Sequence, residues 1–220
     1  MIEYRLIRSD RRTLSISIDR EGALVVHAPK RMSLKEIEVF IVQKQRWIRE
    51  KQEAAQQRIP VCPLLEDGAA IPFWGETLII AFGDVKKAVR KDGILWLPKA
   101  GDAAQNARKW RMKQARTLIL PRVEYWAAQT GLRPAKIAFG SAKTRWGSMN
   151  AQTRSLRLNA ALIHCPQDIV DYVIVHELVH IIQPNHSAAF HAAVRGFLPD
   201  ADRRRSALKG YAGLIRMWEP

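Results

Sequence analysis

The sequence of 220 residues has only two cysteines, Cys62 and Cys165, which excludes the class of small secreted proteins held together by a disulfide framework. It has no apolar run long enough to cross a bilayer, and its first residues, MIEYRLIRSDRR, lack the apolar segment of a secretory signal. We therefore expect a cytoplasmic globular protein that has no membrane partner.

Acidic residues are scarce relative to basic ones: 21 Asp and Glu stand against 36 Lys and Arg, which gives a formal net charge of +15. The excess is spread along the chain rather than collected in a tail. Such a field attracts polyanions, so contact with nucleic acid or nucleotides through a basic surface is one interpretation. A charge that only keeps the protein dissolved is the other, and charge alone does not decide between them.

The first hundred residues have the pattern of a β-rich region with one helix. Alternating apolar residues predict strands over 13–19 and 22–29, paired as a hairpin. The segment SLKE, from Ser33 to Glu36, is a capping box and predicts that a helix begins there. We expect residues 1–100 to form this first region.

A connector rich in proline and glycine, 59–75, precedes the second half of the pattern. A long helix is predicted over 103–130, where Pro121 is expected to kink or split it and Gly131 to end it. Between the connector and this helix, short strands are predicted over 76–82, 86–90 and 94–98, the last two joined across Asp92 and Gly93.

The last ninety residues combine two short strands with three helices. Strands are predicted over 135–140 and 155–159, on either side of the loop SAKTRWGSMNAQTR. A helix follows from about Pro166 to about Ile182, because a proline suits the first helical position and Pro184 ends the helix. Ser187 can cap the next helix, and RRRSALKGYAGL predicts a last one.

Four of the six histidines lie between Asp171 and His191, in an otherwise apolar stretch. His176, Glu177 and His180 form the pattern H-E-x-x-H. Residues four apart on a helix share a face, so the two imidazoles can bind one ion at about 2.0–2.1 Å each. Glu177 lies beside them, where it can take a proton from a water held at the ion.

The competing interpretation is that three ordinary residues share a buried helix. Chance alone produces H-E-x-x-H in roughly one chain in a hundred of this composition. A glutamate buried on an apolar helix is unfavourable unless it is paired or near a metal. We therefore predict a metal site, and zinc is the ion that this motif usually binds.

Catalytic zinc usually has three protein ligands and one open position, so a third ligand is expected. His186 lies six residues after His180, which is the ligand spacing of the metzincins. Gln183 occupies the position where those proteins have a glycine, and Pro184 and Asn185 must make the turn instead. We predict that His186 is the third ligand.

Two other residues compete for that role. His191 is expected within the helix that follows Ser187, and Asp200 is better suited to capping the last helix. His27 and His164 lie on a strand and near a helix start, where we interpret them as structural.

The residues before the helix are candidates for holding a substrate. Strand 155–159, SLRLN, is a candidate for pairing with an extended peptide by β-augmentation. Arg145 is a candidate for binding an oxyanion or a phosphate. The alternative is that Arg145 is a surface residue stacked on Trp146.

The segments TRWGS, LRLN and DYVIVHELVHIIQPNHSAAF, together with the earlier RRTLSISIDREGALVVHAPKRMSLKEIEVFIVQKQRWI, resemble the bacterial YgjP-like metallopeptidase family, which is related to the SprT-like and WLM zincin proteases. The resemblance covers nearly the whole chain. It implies a zincin-like catalytic core with zinc on His176, His180 and His186 and with Glu177 as general base. Met149 and His191 depart from the family pattern, which usually has Cys and Trp at these two positions.

The resulting expectation is an α+β fold: a β-rich N-terminal region over 1–100, then a zincin-like helical catalytic core with a small sheet over 101–220. The leading function is zinc-dependent hydrolysis of a peptide bond in a peptide or protein substrate. Two alternatives stay open. The resemblance also implies a metal-dependent nucleoside triphosphate pyrophosphatase acting on UTP, and the net charge permits a nucleic-acid-binding module with structural zinc.

Overall fold

The computed structural model describes residues 3–19, 22–56 and 65–219. Its contacts divide the chain into two compact units, Met1–Arg58 and Ile59–Pro220. This boundary differs from the expected division at 100/101, because the apolar residues of strands 70–98 belong to the same core as the later helices. Residues 59–64 of the predicted connector, which include Cys62, lie outside the described residues. Cys165 is a buried free thiol.

The first unit contains a three-stranded sheet and two helices: β1 (Tyr4–Ser9), β2 (Ser15–Ile18), β3 (Leu24–Pro29), α1 (Leu34–Gln43) and α2 (Gln45–Gln56). The strand order is β1-β3-β2, with β3 parallel to β1 and antiparallel to β2. The predicted hairpin is thus confirmed. The core of this unit joins alternate residues of β3 to one face of the helices, as in Val26, Ile37 and Ile48.

The predicted helix of the first unit begins as expected but is two helices. The Ser33 side chain accepts from the Glu36 backbone, and the Glu36 carboxylate accepts from the Ser33 backbone, which confirms the capping box. The chain leaves helical geometry at Lys44, where φ is −98° and ψ is 8°, and α2 begins at the next residue.

The second unit begins with a four-stranded sheet: β4 (Ala70–Phe73), β5 (Glu76–Gly83), β6 (Val89–Lys91) and β7 (Ile94–Pro98), in the order β4-β5-β7-β6. The turn between β6 and β7 is confirmed, since both Asp92 and Gly93 have positive φ, as the tight hairpin turn requires. Strand β4 falls in the predicted connector. Its Pro72 is compatible with a strand because β4 is at the sheet edge.

Helix α3 (Ala103–Thr130) runs for 28 residues without a break. Asp102 caps its start, and Gly131, with φ of 71°, ends it as predicted. Pro121 was predicted to kink or split the helix, and the structure shows no split. Pro121 is exposed, while Ile119 and Val123 on either side of it are buried in the core, and this packing outweighs the roughly 3 kcal/mol that a proline costs a helix interior.

A second small sheet leads to the histidine helix: β8 (Lys136–Gly140), β9 (Gly147–Asn150) and β10 (Ser155–Asn159), in the order β8-β10-β9. Strand β9 lies in the predicted loop. Because β10 is hydrogen-bonded on both sides, to β8 in parallel and to β9 antiparallel, it has no edge to offer. The hypothesis that SLRLN pairs with a peptide is therefore wrong, and the edge on that side is β9.

The remaining elements are helical: a 3₁₀ helix (Ala160–His164), α4 (Gln167–Val179), α5 (Ala188–Phe197), α6 (Ala201–Leu208) and a last 3₁₀ helix (Lys209–Arg216). Helix α4 crosses the core, and ten of its thirteen residues are buried. It ends three residues earlier than predicted, and Pro166 is its N-cap residue rather than its first residue. The α+β fold is confirmed, and none of the described helices meets the length and hydropathy needed to span a bilayer.

Candidate metal centre

The metal-binding pattern lies at the C-terminal end of α4. His176 is in the last turn, Glu177 follows it, and His180 is the C-cap residue, which keeps helical dihedrals of −62° and −14°. The two imidazoles are therefore still one helical turn apart, as the sequence predicts. Their ring centroids are 5.0 Å apart, and both rings are half-buried.

His186 joins them from the segment beyond α4. Its Nε2 lies 3.1 Å from Nε2 of His176, and one nitrogen from each of the three rings lies within 4.8 Å of the others. Two ligands of one tetrahedral zinc are about 3.3 Å apart when each bond is about 2.0–2.1 Å. The three histidines, hereafter the triad, thus fit the donor set of a zinc ion.

The ring of His180 is fixed by a backbone partner. Its Nδ1 lies 3.0 Å from the carbonyl oxygen of Gln183. Because a carbonyl only accepts, the proton of the neutral ring must be on Nδ1, and Nε2 keeps its lone pair for a metal. The turn after α4 therefore orients a ligand as well as bringing His186 back.

Phe190 forms the base of the triad. It is fully buried, and its ring centroid lies 4.9 Å from that of His176, 4.5 Å from that of His180 and 4.8 Å from that of His186. Ser187 positions this ring by capping α5, as predicted, through a hydrogen bond from the Phe190 backbone to the Ser187 hydroxyl. The contact of Phe190 with all three histidines was not predicted from the sequence.

Two rings of the triad, His176 and His180, are held in the form that binds metal. Burial, followed by the charges of His180 and His186, lowers the pKa of His176 to about 3. Burial also lowers the pKa of His180, against the opposing hydrogen bond to Gln183. Since a metal binds the neutral imidazole, protons compete only weakly for these two rings near neutral pH.

Glu177 is buried against β9. It is 6% exposed, and burial raises the pKa of its carboxyl to about 7, while a hydrogen bond from the Met149 backbone and the charge of Arg145 oppose this rise. A methyl group on the Cα of Gly147 would lie 2.7 Å from both Cγ and Oε1 of Glu177. Only glycine therefore allows β9 to pack this closely on the carboxylate.

Asn159 holds the loop that carries Arg145. Its buried side chain donates to the carbonyl oxygens of Ala142, at 2.7 Å, and Arg145, at 3.1 Å, and its backbone N–H donates to Trp146. Arg145 itself is exposed at the mouth of the cleft. Its binding of an oxyanion or a phosphate stays a prediction. The anchoring role of Asn159 was missed, although LRLN is one of the motifs that carry the family resemblance.

The triad and β9 form two walls of a cleft. The cavity between them has a volume of about 670 Å³. His176, His180 and His186 lie on one side with Glu177, and the four residues of β9 lie on the other. Among the described residues, β9 is an edge strand of its sheet, and this edge strand borders the predicted metal ligands.

The other candidate residues do not join the triad. The ring centroid of His191 is 6.4 Å from that of His186. Asp200 is at the N-cap of α6 but makes no capping hydrogen bond, because its carboxylate accepts from Arg203 and Arg204. His164 is fully buried, where burial lowers its pKa to about 3, and its Nδ1 lies 2.8 Å from the carbonyl oxygen of Pro72.

The family described as "YgjP-like, metallopeptidase domain" matches residues 12–211 of this chain. A search of curated proteins found no significant match. Among solved structures, the metallopeptidase zymogens of Pyrococcus abyssi abylysin and Methanocaldococcus jannaschii jannalysin are similar at 18% and 22% identity. Their TM-scores are 0.38 and 0.37. Each match covers 41% of this chain, and the two matches cover 91% and 93% of the abylysin and jannalysin zymogens, respectively.

Proposed function

Because the chain belongs to the YgjP-like metallopeptidase family, we propose that it is a zinc-dependent peptidase whose catalytic centre is the triad together with Glu177. The observation that carries the proposal is the convergence of three imidazoles next to one buried carboxylate. Catalytic zinc sites of this kind have three protein ligands and leave a position for water.

The donor set favours a catalytic ion over a structural one. A structural zinc usually has four protein ligands that include cysteine. Within the described part of the chain, the one group able to hold a metal consists of three histidines. Cys165 is not part of it, and burial raises the pKa of its thiol, which disfavours the thiolate that a metal would bind.

Zinc, when bound, supplies a Lewis acid that polarises a carbonyl and makes water acidic. Glu177 then takes the proton from the attacking water and passes it to the nitrogen of the leaving amine. Its place directly after His176 on α4 keeps the Glu177 carboxylate in the same cleft as the triad for both transfers. Arg145, at the mouth of the cleft, offers a positive charge to the oxygen on which negative charge develops.

An extended peptide is the substrate that the cleft fits best. Strand β9 is an edge strand that borders the triad, so the backbone groups of its outer edge, apart from the Met149 N–H, which donates to Glu177, can pair with a substrate strand. Such pairing would hold the peptide backbone in the cleft beside Glu177 and the triad. Side-chain pockets would then select the residues on either side of the cleaved bond.

Hydrolysis of a nucleoside triphosphate such as UTP is the second candidate. Arg145 and Arg157 line a small cavity of about 120 Å³ together with Ser141 and Ser148, a set of donors that suits phosphate oxygens. This candidate predicts release of pyrophosphate from UTP that stops when zinc is removed by a chelator. The same basic side chains are the basis for proposing contact with nucleic acid, which a steep dependence of binding on salt would reveal.

The substitution Glu177→Gln tests the proposed peptidase. It keeps the size of the side chain and all three imidazoles, so zinc should remain at one ion per chain, whereas hydrolysis of a peptide library, followed by mass spectrometry, should fall by roughly 10²–10⁴-fold. Glu124→Gln, at an exposed position of α3, is the matched control and should leave both unchanged. Full activity in Glu177→Gln would refute the proposed role.

A further inference from the structure

A second pocket opens on the other side of Glu177. This cavity, hereafter the side pocket, has a volume of about 430 Å³ and shares Arg145, Gly147, His176 and Glu177 with the main cleft. Its walls are mainly apolar, and they are formed by Trp146, Tyr172, Val173, Leu208 and Ala212. It therefore adjoins the proposed catalytic carboxylate without including His180 or His186.

The rim of the side pocket is basic. Arg145, Arg205 and Lys209 line it and are exposed, and Glu177 is the acidic residue among the lining side chains, so the lining carries a net charge of +2 (three cations less one carboxylate). An opening with apolar walls and a positive rim fits a side chain that has a short hydrocarbon stem and an anionic end.

The acidic residues of α6 form no ion pair with this rim. In the part of the chain that the structure describes, no carboxylate lies within 4.0 Å of the cationic groups of Arg205 or Lys209. The acids of α6 and its N-cap are bound by other arginines: Asp200 by Arg203 and Arg204, and Asp202 by Arg195.

Arg205, on α6, lines the side pocket together with Tyr172 and His176. Its positive charge therefore borders the pocket wall next to one predicted zinc ligand.

Resting on the proposed peptidase function, we propose that the side pocket binds an acidic substrate side chain, Glu or Asp, next to the bond that is cleaved. Its apolar walls cover the methylene groups, and Arg205 and Lys209 bind the carboxylate. A lysine or arginine at the same substrate position meets like charge and is disfavoured. The peptidase is then selective for acidic residues on the side of the bond nearest His176 and Glu177.

Matched peptides test this selectivity on the zinc-loaded full chain. Pairs of peptides differ only by Glu or Gln at one residue flanking the cleaved bond. At the residue that enters the side pocket, kcat/KM should be about tenfold higher for Glu, which corresponds to one charge-assisted contact. In the double variant Arg205→Gln and Lys209→Gln this ratio should fall to about one.

Arg203→Gln is the matched control. Arg203 is an exposed arginine on the same helix, but it binds Asp200 and does not line the side pocket. The variant loses one positive charge, half of what the double variant loses, so an effect of total charge alone would lower the ratio in it too, by about half as much on a logarithmic scale. The Glu-over-Gln ratio should stay at the wild-type value in Arg203→Gln.

A binding measurement separates failure of this inference from failure of the peptidase proposal. Fluorescence titration of zinc-loaded Glu177→Gln with the same peptides needs no turnover, and the Glu peptide should bind about tenfold more tightly. If no peptide is cleaved by the wild type, the peptidase proposal fails, and this titration still tests the pocket. Equal affinities for Glu and Gln peptides would overturn the side-pocket assignment, as would rim substitutions that weaken UTP binding but leave peptide ranking unchanged.

Discussion

The triad has two halves that the chain builds in different ways. His176 and His180 belong to a helix that crosses the core, where ten of thirteen residues are buried, whereas His186 is an exposed residue between Pro184 and Ser187. The first half is positioned by packing along a whole helix. The second depends on a short turn, one helix cap and the ring of Phe190.

The half on α4 carries the larger cost of burying polar groups when no metal is bound. Glu177 and His176 are polar groups placed where water is largely excluded, and burial moves the pKa of each away from the charged form. His186 stays in contact with solvent and carries little of this cost. A bound ion should therefore stabilise the two halves unequally, with the larger benefit in the helix.

The largest expected effect is loss of zinc from either half. His176→Ala and His186→Ala each remove one of three ligands, and both should reduce zinc affinity by at least about 100-fold, measured by competition with a chromophoric chelator. Without zinc, the two variants should differ. His186→Ala should keep the free energy of unfolding within about 0.5 kcal/mol of wild type, while His176→Ala should lower it by about 1–2 kcal/mol, because the His176 ring is half-buried and the His186 ring is exposed.

His191→Ala is the control for this pair. Its ring lies near His186, but it is outside the triad, so zinc should still bind at one ion per chain. Unchanged zinc affinity in His186→Ala, together with its loss in His191→Ala, would move the third ligand to α5 and would remove the contrast between the two halves.

A smaller effect, about 3 kcal/mol, concerns the buried carboxyl in the metal-free protein. The pKa of Glu177 is raised from 4.5 to about 7, so between these pH values the folded protein holds a proton that the unfolded chain releases. Stability must then fall as the pH rises through this window. In chelator, the free energy of unfolding of Glu177→Gln minus that of wild type should increase by about 3 kcal/mol from pH 4.5 to 8.

Urea denaturation at a series of pH values measures this difference. All other titrating groups are common to both proteins and cancel in the subtraction, as long as they do not interact with Glu177. Glu124→Gln, the same substitution at an exposed position of α3, is measured alongside as the control variant. A difference that stays constant with pH would show that the Glu177 carboxyl is ionised as easily in the folded protein as in the unfolded chain.

The two halves also differ in what the sequence could predict. The spacing of His176, Glu177 and His180 is a local property of a helix, so it could be read directly from the chain. The return of His186 was predicted from ligand spacing, and the structure brings it to the other two rings. Its physical means, the Gln183 carbonyl and the buried Phe190, could not be read, because both depend on how the turn packs.

Strand β9 could not be predicted from the sequence. GSMN has no β-branched or aromatic residue, and it becomes a strand only because it pairs with β10, as Leu156 with Met149. A single helix was expected after Ser33, but two form there, and α3 does not split at Pro121. In α3, the packing of Ile119 and Val123 in the core outweighs the local effect of the proline.

The smallest of these effects tests the contact between β9 and the buried half. Gly147→Ala puts a methyl group 2.7 Å from Cγ and Oε1 of Glu177, at a position with no positive φ, so steric overlap is the whole cost. We expect a loss of about 1–3 kcal/mol in the free energy of unfolding, typical of overpacking, and lower activity because the carboxylate is displaced. Gly140→Ala is the matched control in the same sheet, where the added methyl group meets only Arg157 Cδ, at an ordinary 3.9 Å. Equal stability and activity of the two variants would mean that β9 can withdraw from Glu177 freely, and the wall of the cleft would then be no more rigid than the exposed turn that carries His186.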